Sequence, residues 1–219
     1  MYNVPSWFLG YDALAESIFA LVTILLSVLA FKIYKLTKSS TSKMLGFGFL
    51  FIAFSYIILA IFNIGNCFNL HEPLCEITNW DPLAWYSFQV SLHLMLYLLG
   101  LITLVYMTFK VKSFKLYSLL ILLGSIPFLF NHSFPRVYFI LSSILIVYIF
   151  AFYFKNYLNN KNYHTASISI AFALLFIGDL LILFTMESDI SAIIYVIWHS
   201  LKLVAYLLIL SNLIPILKK

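Results

Sequence analysis

S-D-I-S-A-I-I-Y-V-I-W-H-S-L-K-L-V-A-Y-L-L-I-L-S-N-L-I-P-I-L-K-K, residues 188–219, reads as one long apolar helix with a histidine and a lysine near its middle. Tyr195, His199, Lys202 and Tyr206 follow one another at i, i+4, i+7 and i+11, so all four share one helical face. A charged side chain at bilayer mid-depth costs about 2.5–3.5 kcal/mol even on the lenient insertion scales. That face is therefore expected to look into protein, where the lysine has a partner or a task.

The rest of the chain is of the same kind. Apolar residues make up 63% of its 219 residues and charged residues 10%, against about 25% charged in a soluble globular protein. Mean hydropathy is +1.02. Seven apolar segments stand out, at 11–33, 44–62, 85–109, 114–130, 137–154, 165–185 and 190–216. Each is near the roughly 20 residues a helix needs to cross hydrocarbon. The fourth is the shortest and carries Pro127 near its end, so a kink or a bare crossing is expected there. The predicted fold is all-α: one polytopic membrane bundle over residues 1–219, with seven transmembrane helices embedded in a lipid bilayer. The N-terminal residues lack the basic region and small-residue cleavage site of a secretory signal, so the first helix is expected to be retained.

Charge placement gives the orientation. Lys32, Lys35, Lys38 and Lys43 flank the first link, Lys110, Lys112 and Lys115 the third, Lys155 and Lys161 the fifth, and Lys218 and Lys219 the end. All but two of the 13 basic residues thus fall on one side, the exceptions being Arg136 and the buried Lys202. Glu72, Glu76, Asp81, Glu187 and Asp189 fall on the other. The positive-inside rule then puts the N-terminus outside and the C-terminus in the cytoplasm, an arrangement that needs an odd number of spans. Trp7, Trp80 and Trp85 sit near the expected outer boundaries, where amphipathic rings favour the headgroup layer. Lysines in short clusters beside apolar spans do not make a nucleic-acid surface.

Few ionisable residues lie within the spans, and they gather at one depth. Asp12 and Glu16 are one turn apart on the first helix, Gln89 and His93 one turn apart on the third. Asp179 lies about 12 Å inside the end of the sixth if Glu187 marks its boundary. With Tyr195, His199, Lys202 and Tyr206, these residues are the expected lining of a polar pocket in the outer half, binding a small ligand, a lipid or an ion. The same groups also suit plain interhelical hydrogen bonds, worth about 0.6 kcal/mol per pair. Asp179 is the expected counter-charge of Lys202, with Glu16 the second candidate. The longest loop, 63–84, holds Cys67 and Cys75, which outside the cytoplasm are expected to form a small disulfide. A metal site through His71 is the alternative, lacking an obvious fourth ligand.

No catalytic signature is present: neither H-x-x-x-H nor H-E-x-x-H occurs. Imidazoles on two helices at one level would suit bis-histidine haem ligation through His93 and His199. A lysine midway along the seventh helix, with the N-terminus outside, resembles the microbial rhodopsins, and that resemblance would imply retinal bound to Lys202. The departures are several. Trp198 stands where that family has a carboxylate one turn before the lysine, helix 3 offers Gln89 and His93 instead of arginine and carboxylates, and helix 6 lacks the family's Trp and Tyr-Pro pattern. A broader resemblance is carried by F-K-I-Y-K-L-T-K-S running into L-G-F-G-F-L-F-I-A-F-S-Y, and by the closing W-H-S-L-K-L-V-A-Y-L-L-I-L. These look like archaeal seven-helix membrane proteins of unassigned role, and distantly like the membrane-embedded sensor modules that precede bacterial signalling domains. The resemblance implies sensing through a separate signalling or complex partner, since no kinase or cyclase domain follows Lys219. A transporter, a cofactor-bearing redox subunit or a structural subunit of a membrane complex are the alternatives.

Overall fold

The computed structural model describes residues 6–67, 82–109, 113–125, 134–185 and 192–217, which form helices and connecting turns with no strand among them. Seven α-helices follow in order: α1 (Ser6–Thr37), α2 (Ser40–Cys67), α3 (Pro82–Thr108), α4 (Phe114–Ser125), α5 (Phe134–Asn160), α6 (Tyr163–Thr185) and α7 (Ala192–Leu213). A short 3₁₀ turn, Ile214–Leu217, closes the last helix. Six of the helices contain stretches of 21 to 28 residues long and apolar enough to cross a membrane. The seventh, α4, has 12 residues, or roughly 18 Å of rise. It corresponds to the segment at 114–130, and Pro127 lies outside the described residues.

Polarity in these helices is distributed the opposite way from a soluble bundle. On α1 the polar Glu16, Thr23 and Ser27 are buried with Ala13, Phe19, Ala20, Leu26 and Ala30, while Leu14, Leu21, Leu25 and Val28 are exposed. On α7, His199, Lys202, Tyr206 and Asn212 are buried, and Ile193, Ile197, Val204 and Leu207 point outward. In water the large aliphatic groups would be inside. Small and polar groups inward with Leu, Ile and Val outward is the arrangement hydrocarbon selects, because packing and hydrogen bonding then drive helix association. The fold is that of a multi-pass membrane helix bundle.

Side-chain contacts fix the helix directions. Glu16 meets Asn63 near one end of the α1–α2 pair and Ser27 meets Gly46 further along, so the two are antiparallel. In α2 and α3, His93 reaches Ser55 while Gly48 faces Gly100 and Leu104, again antiparallel. Ser142–Asp179 and Tyr153–Phe172 set α5 against α6. Gly178–Trp198 and Ser167–Asn212 set α6 against α7. By contrast α3 and α5 run parallel, since Tyr97 meets Tyr138 and Phe109 meets Tyr148. Asp12–His199 and Phe19–Tyr206 make α1 and α7 parallel too.

Consequently α1, α3, α5 and α7 start at one end of the bundle. At the opposite end Lys32, Lys35, Lys38, Lys43, Lys115, Lys155 and Lys161 are exposed. Two of these lysines terminate helices in the left-handed region: Lys38 (φ 55°) and Lys161 (φ 47°). Their N–H groups donate back to the carbonyls of Tyr34 and Tyr157 at 2.8 and 2.7 Å, satisfying acceptors that a helix end leaves open. Asn162 then caps α6 by accepting from the His164 N–H at 3.0 Å.

Candidate functional site

Every buried carboxylate, histidine and lysine of the described spans lies toward the end where α1 and α7 begin. On α7, His199 and Lys202 are both 4% exposed and Tyr206 is 1% exposed. Around them the structure gathers Glu16 from α1, His93 from α3 and Asp179 from α6, all buried, and Gln89, one turn before His93, is buried too. The helix spacing that puts the α7 residues on one face thus turns that face into the core. Tyr195, at the start of the same face, is half-buried against Trp198 and His199.

The expected ion pair between Lys202 and Asp179 is not a direct one. Asp179 accepts a hydrogen bond from Ser142 at 2.7 Å. The Lys202 ammonium instead lies 3.8 Å from the centroid of the Trp198 ring, with Tyr97 at 5.3 Å and Tyr56 at 6.0 Å. Trp198 precedes the lysine by one turn and projects between it and α6, where it also meets Gly178. Aromatic faces take the place an oxygen was expected to fill, through the attraction between a cation and a ring quadrupole. Asp179 and Glu16 still act on the Lys202 charge electrostatically, and the lysine in turn acts on His93 and His199. Lys202 is the common neighbour of the cluster.

The two histidines are differently held. His93 Nδ1 lies 3.0 Å from the Ser55 carbonyl; a carbonyl only accepts, so that nitrogen carries the proton. His199 stacks on Trp198 at 4.9 Å and is bordered by Tyr11 and Phe19 at 5.7 and 5.5 Å. Its Nε2 faces Asp12 Oδ1 at 3.6 Å. Glu16 has a separate partner, accepting from Asn63 Nδ2 at 2.7 Å. Below, the hydroxyls of Tyr56 and Tyr206 meet at 3.2 Å.

Several members of the cluster were not among the expected site residues: Tyr56, Asn63, Tyr97, Tyr138, Ser142 and Trp198. Asn63 and Tyr56 are two turns apart on α2, Tyr97 follows His93 by one turn, and Tyr138 precedes Ser142 by one turn. A periodicity check anchored on His93 and Lys202 would have found Tyr97 and Trp198, whereas α2 and α5 carry no buried charged residue to anchor one. Cys75, His71, Trp80 and the side chain of Cys67 lie outside the described residues, as do the acidic loop residues used for orientation.

An outward-opening pocket was expected at this level. At this level the rings of Phe19, Tyr56, Tyr97, Trp198 and Tyr206 pack around Lys202 and one another. A groove of about 360 Å³ lies elsewhere, on the lipid-facing side of α1 and α2 among Leu21, Ile24, Leu25, Ile57 and Ile61. A second void of about 20 Å³ lies towards the lysine-rich end, among Phe49, Leu104, Phe172 and Ile209. No group of three His, Cys, Asp or Glu side chains is placed to hold a metal ion among the described residues. Compared with known proteins, the chain matches no family model, no curated protein and no solved structure.

Proposed function

We propose that this is a seven-span membrane protein, N-terminus outside and C-terminus in the cytoplasm, that senses or binds a small ligand, lipid or ion at the cluster around Lys202. One observation carries the reading. Asp12 Oδ1 and His199 Nδ1 are buried without hydrogen-bond partners, beside a Lys202 ammonium that meets aromatic rings. Polar groups that only glue helices together satisfy one another, because each unmade bond in a dry interior costs about 1–3 kcal/mol. Capacity left over in one corner is what a binding site keeps for its ligand. Sensing, in place of transport, is supported by the large apolar side chains Phe49, Leu104, Phe172 and Ile209, which are buried between the cluster and the lysine-rich end. A signalling or complex partner would then receive the change through the helices.

The test is native mass spectrometry and an absorption spectrum on the gently purified protein in lipid nanodiscs. The expected result is a small molecule or lipid retained by the wild type and lost from a folded Lys202→Met variant. A colourless protein that retains nothing, and whose stability no added ligand changes, would leave a structural subunit as the reading. Visible absorption would favour a cofactor-bearing subunit.

A further inference from the structure

The cluster contains more buried acid than base. Asp12 and Glu16 on α1 and Asp179 on α6 supply three carboxyl groups, and Lys202 on α7 supplies one ammonium. Glu16, Asp179 and Lys202 are at most 5% exposed, and the Asp12 side chain is 24% exposed. With both histidines neutral, full ionisation would leave two uncompensated negative charges inside a bundle facing hydrocarbon, which such an interior does not sustain. Something positive has to enter. A metal ion would need several oxygen ligands around an open space, whereas the aromatic rings occupy the space here. A proton needs no cavity.

The acidic count is joined by a second observation. His199, 4% exposed and without a hydrogen bond, aims Nε2 at Asp12 Oδ1 across 3.6 Å, and Nδ1 and Oδ1 both lack partners. We propose that the Asp12–Glu16–His199 corner is a proton-binding site, loaded from the end of the bundle where α1 begins and closed to the other end. This deepens the binding reading above and rests on it, naming the proton as the ligand. Asp12 is the partly exposed member and so the point of entry.

The groups that face the corner define what its protons answer to. From α1 these are Tyr11 and the two carboxylates; from α7, Tyr195 and Lys202; from α6, Asp179 behind Trp198. His93 and Tyr97 on α3, and Tyr56 on α2, complete the surroundings through Lys202. Past the Tyr56–Tyr206 hydroxyl pair, 3.2 Å apart, the core between α2, α3, α6 and α7 is Phe49, Leu104, Phe172 and Ile209, all buried. Among the described residues no carboxylate, histidine or lysine bridges that layer, and its Tyr153 phenol is stacked on Phe172, so protons leave by the way they came.

Infrared difference spectroscopy of the full-length protein in liposomes tests this, with an N-terminal tag whose accessibility reports orientation. The expected result is a protonated-carboxyl C=O band at neutral pH. It should bleach when pH is raised on the tagged side and stay unchanged when pH is raised on the other. Glu16→Gln should remove part of the band, and Asp12→Asn should abolish the response while the wild-type titration stands as its own control. Absence of the band at neutral pH overturns the proposal, and so does an equal response from both sides. Retention of a small molecule by protein lacking the band would overturn the proton as ligand and leave the binding reading intact.

Discussion

An ammonium over an indole face gains about 0.5 kcal/mol when exposed and about 2 kcal/mol or more when desolvated. Lys202 is 4% exposed and 3.8 Å from the Trp198 ring, so the upper part of that range applies. In a double-mutant cycle, Lys202→Met and Trp198→Leu should therefore show a coupling of about 1–2 kcal/mol. The Lys202–Asp179 coupling should be smaller, since those charges meet only at a distance. Reversible unfolding in detergent measures both. Additivity of the lysine and tryptophan changes within about 0.5 kcal/mol would rule out the cage. Asp179 has its own local test: Ser142→Ala removes the 2.7 Å hydrogen bond and should destabilise by about 1–3 kcal/mol, measured the same way. At this scale the sequence exposed the ionisable members and hid the rings. A lone lysine in an apolar helix is conspicuous because hydrocarbon makes it costly. One tyrosine among 15, and one tryptophan at what looked like a departure from a known pattern, carry no such mark.

Helix faces depend on what the outside is made of. The 3–4 spacing of Glu16, Ala20, Thr23, Ser27 and Ala30 on α1 is plain in the sequence, and the structure buries that side. Close approach is less plain, because a glycine marks contact only once its neighbour is known. Gly48 and Gly100 bring α2 and α3 together: a Cβ on Gly100 would lie 2.8 Å from the Gly48 carbonyl oxygen and 2.5 Å from Ile52 Cγ1. Backbone cannot rotate out of the way as a side chain can. Gly100→Ala should thus push the helices apart and cost about 1–3 kcal/mol, the usual range for overpacking. Gly65→Ala, whose added methyl meets nothing within 4 Å, is the control and should raise helix propensity instead. Equal melting temperatures for the Gly100 and Gly65 variants would show that the α2–α3 contact tolerates a methyl group.

The bundle as a whole is constrained by its two parallel neighbours. The chain leaves α3 at the lysine-rich end and must begin α5 back at the polar end, because Tyr97–Tyr138 and Phe109–Tyr148 fix the two helices side by side in the same direction. The return falls to α4 and the residues after it. Charge leads to the same alternation: lysines at the first, third and fifth links fall at one end of the bundle, the end that the positive-inside rule proposes as cytoplasmic. Crossing by α4 is the weakest step on length, since 12 helical residues reach only about 18 Å of a roughly 30 Å core. It is strongest on connectivity. Its exposed Leu119, Leu122 and Leu123 would face lipid on the way. The seven-span hypothesis can therefore be tested at this one helix. With the native cysteines replaced, Ser113→Cys should react with a membrane-impermeant thiol reagent from the cytoplasmic side, and Ser133→Cys from the outside. Tags on the two chain ends should be reached from opposite sides. Labelling of positions 113 and 133 from the same side would refute the crossing by α4, and with it the odd span count that sets N-terminus against C-terminus.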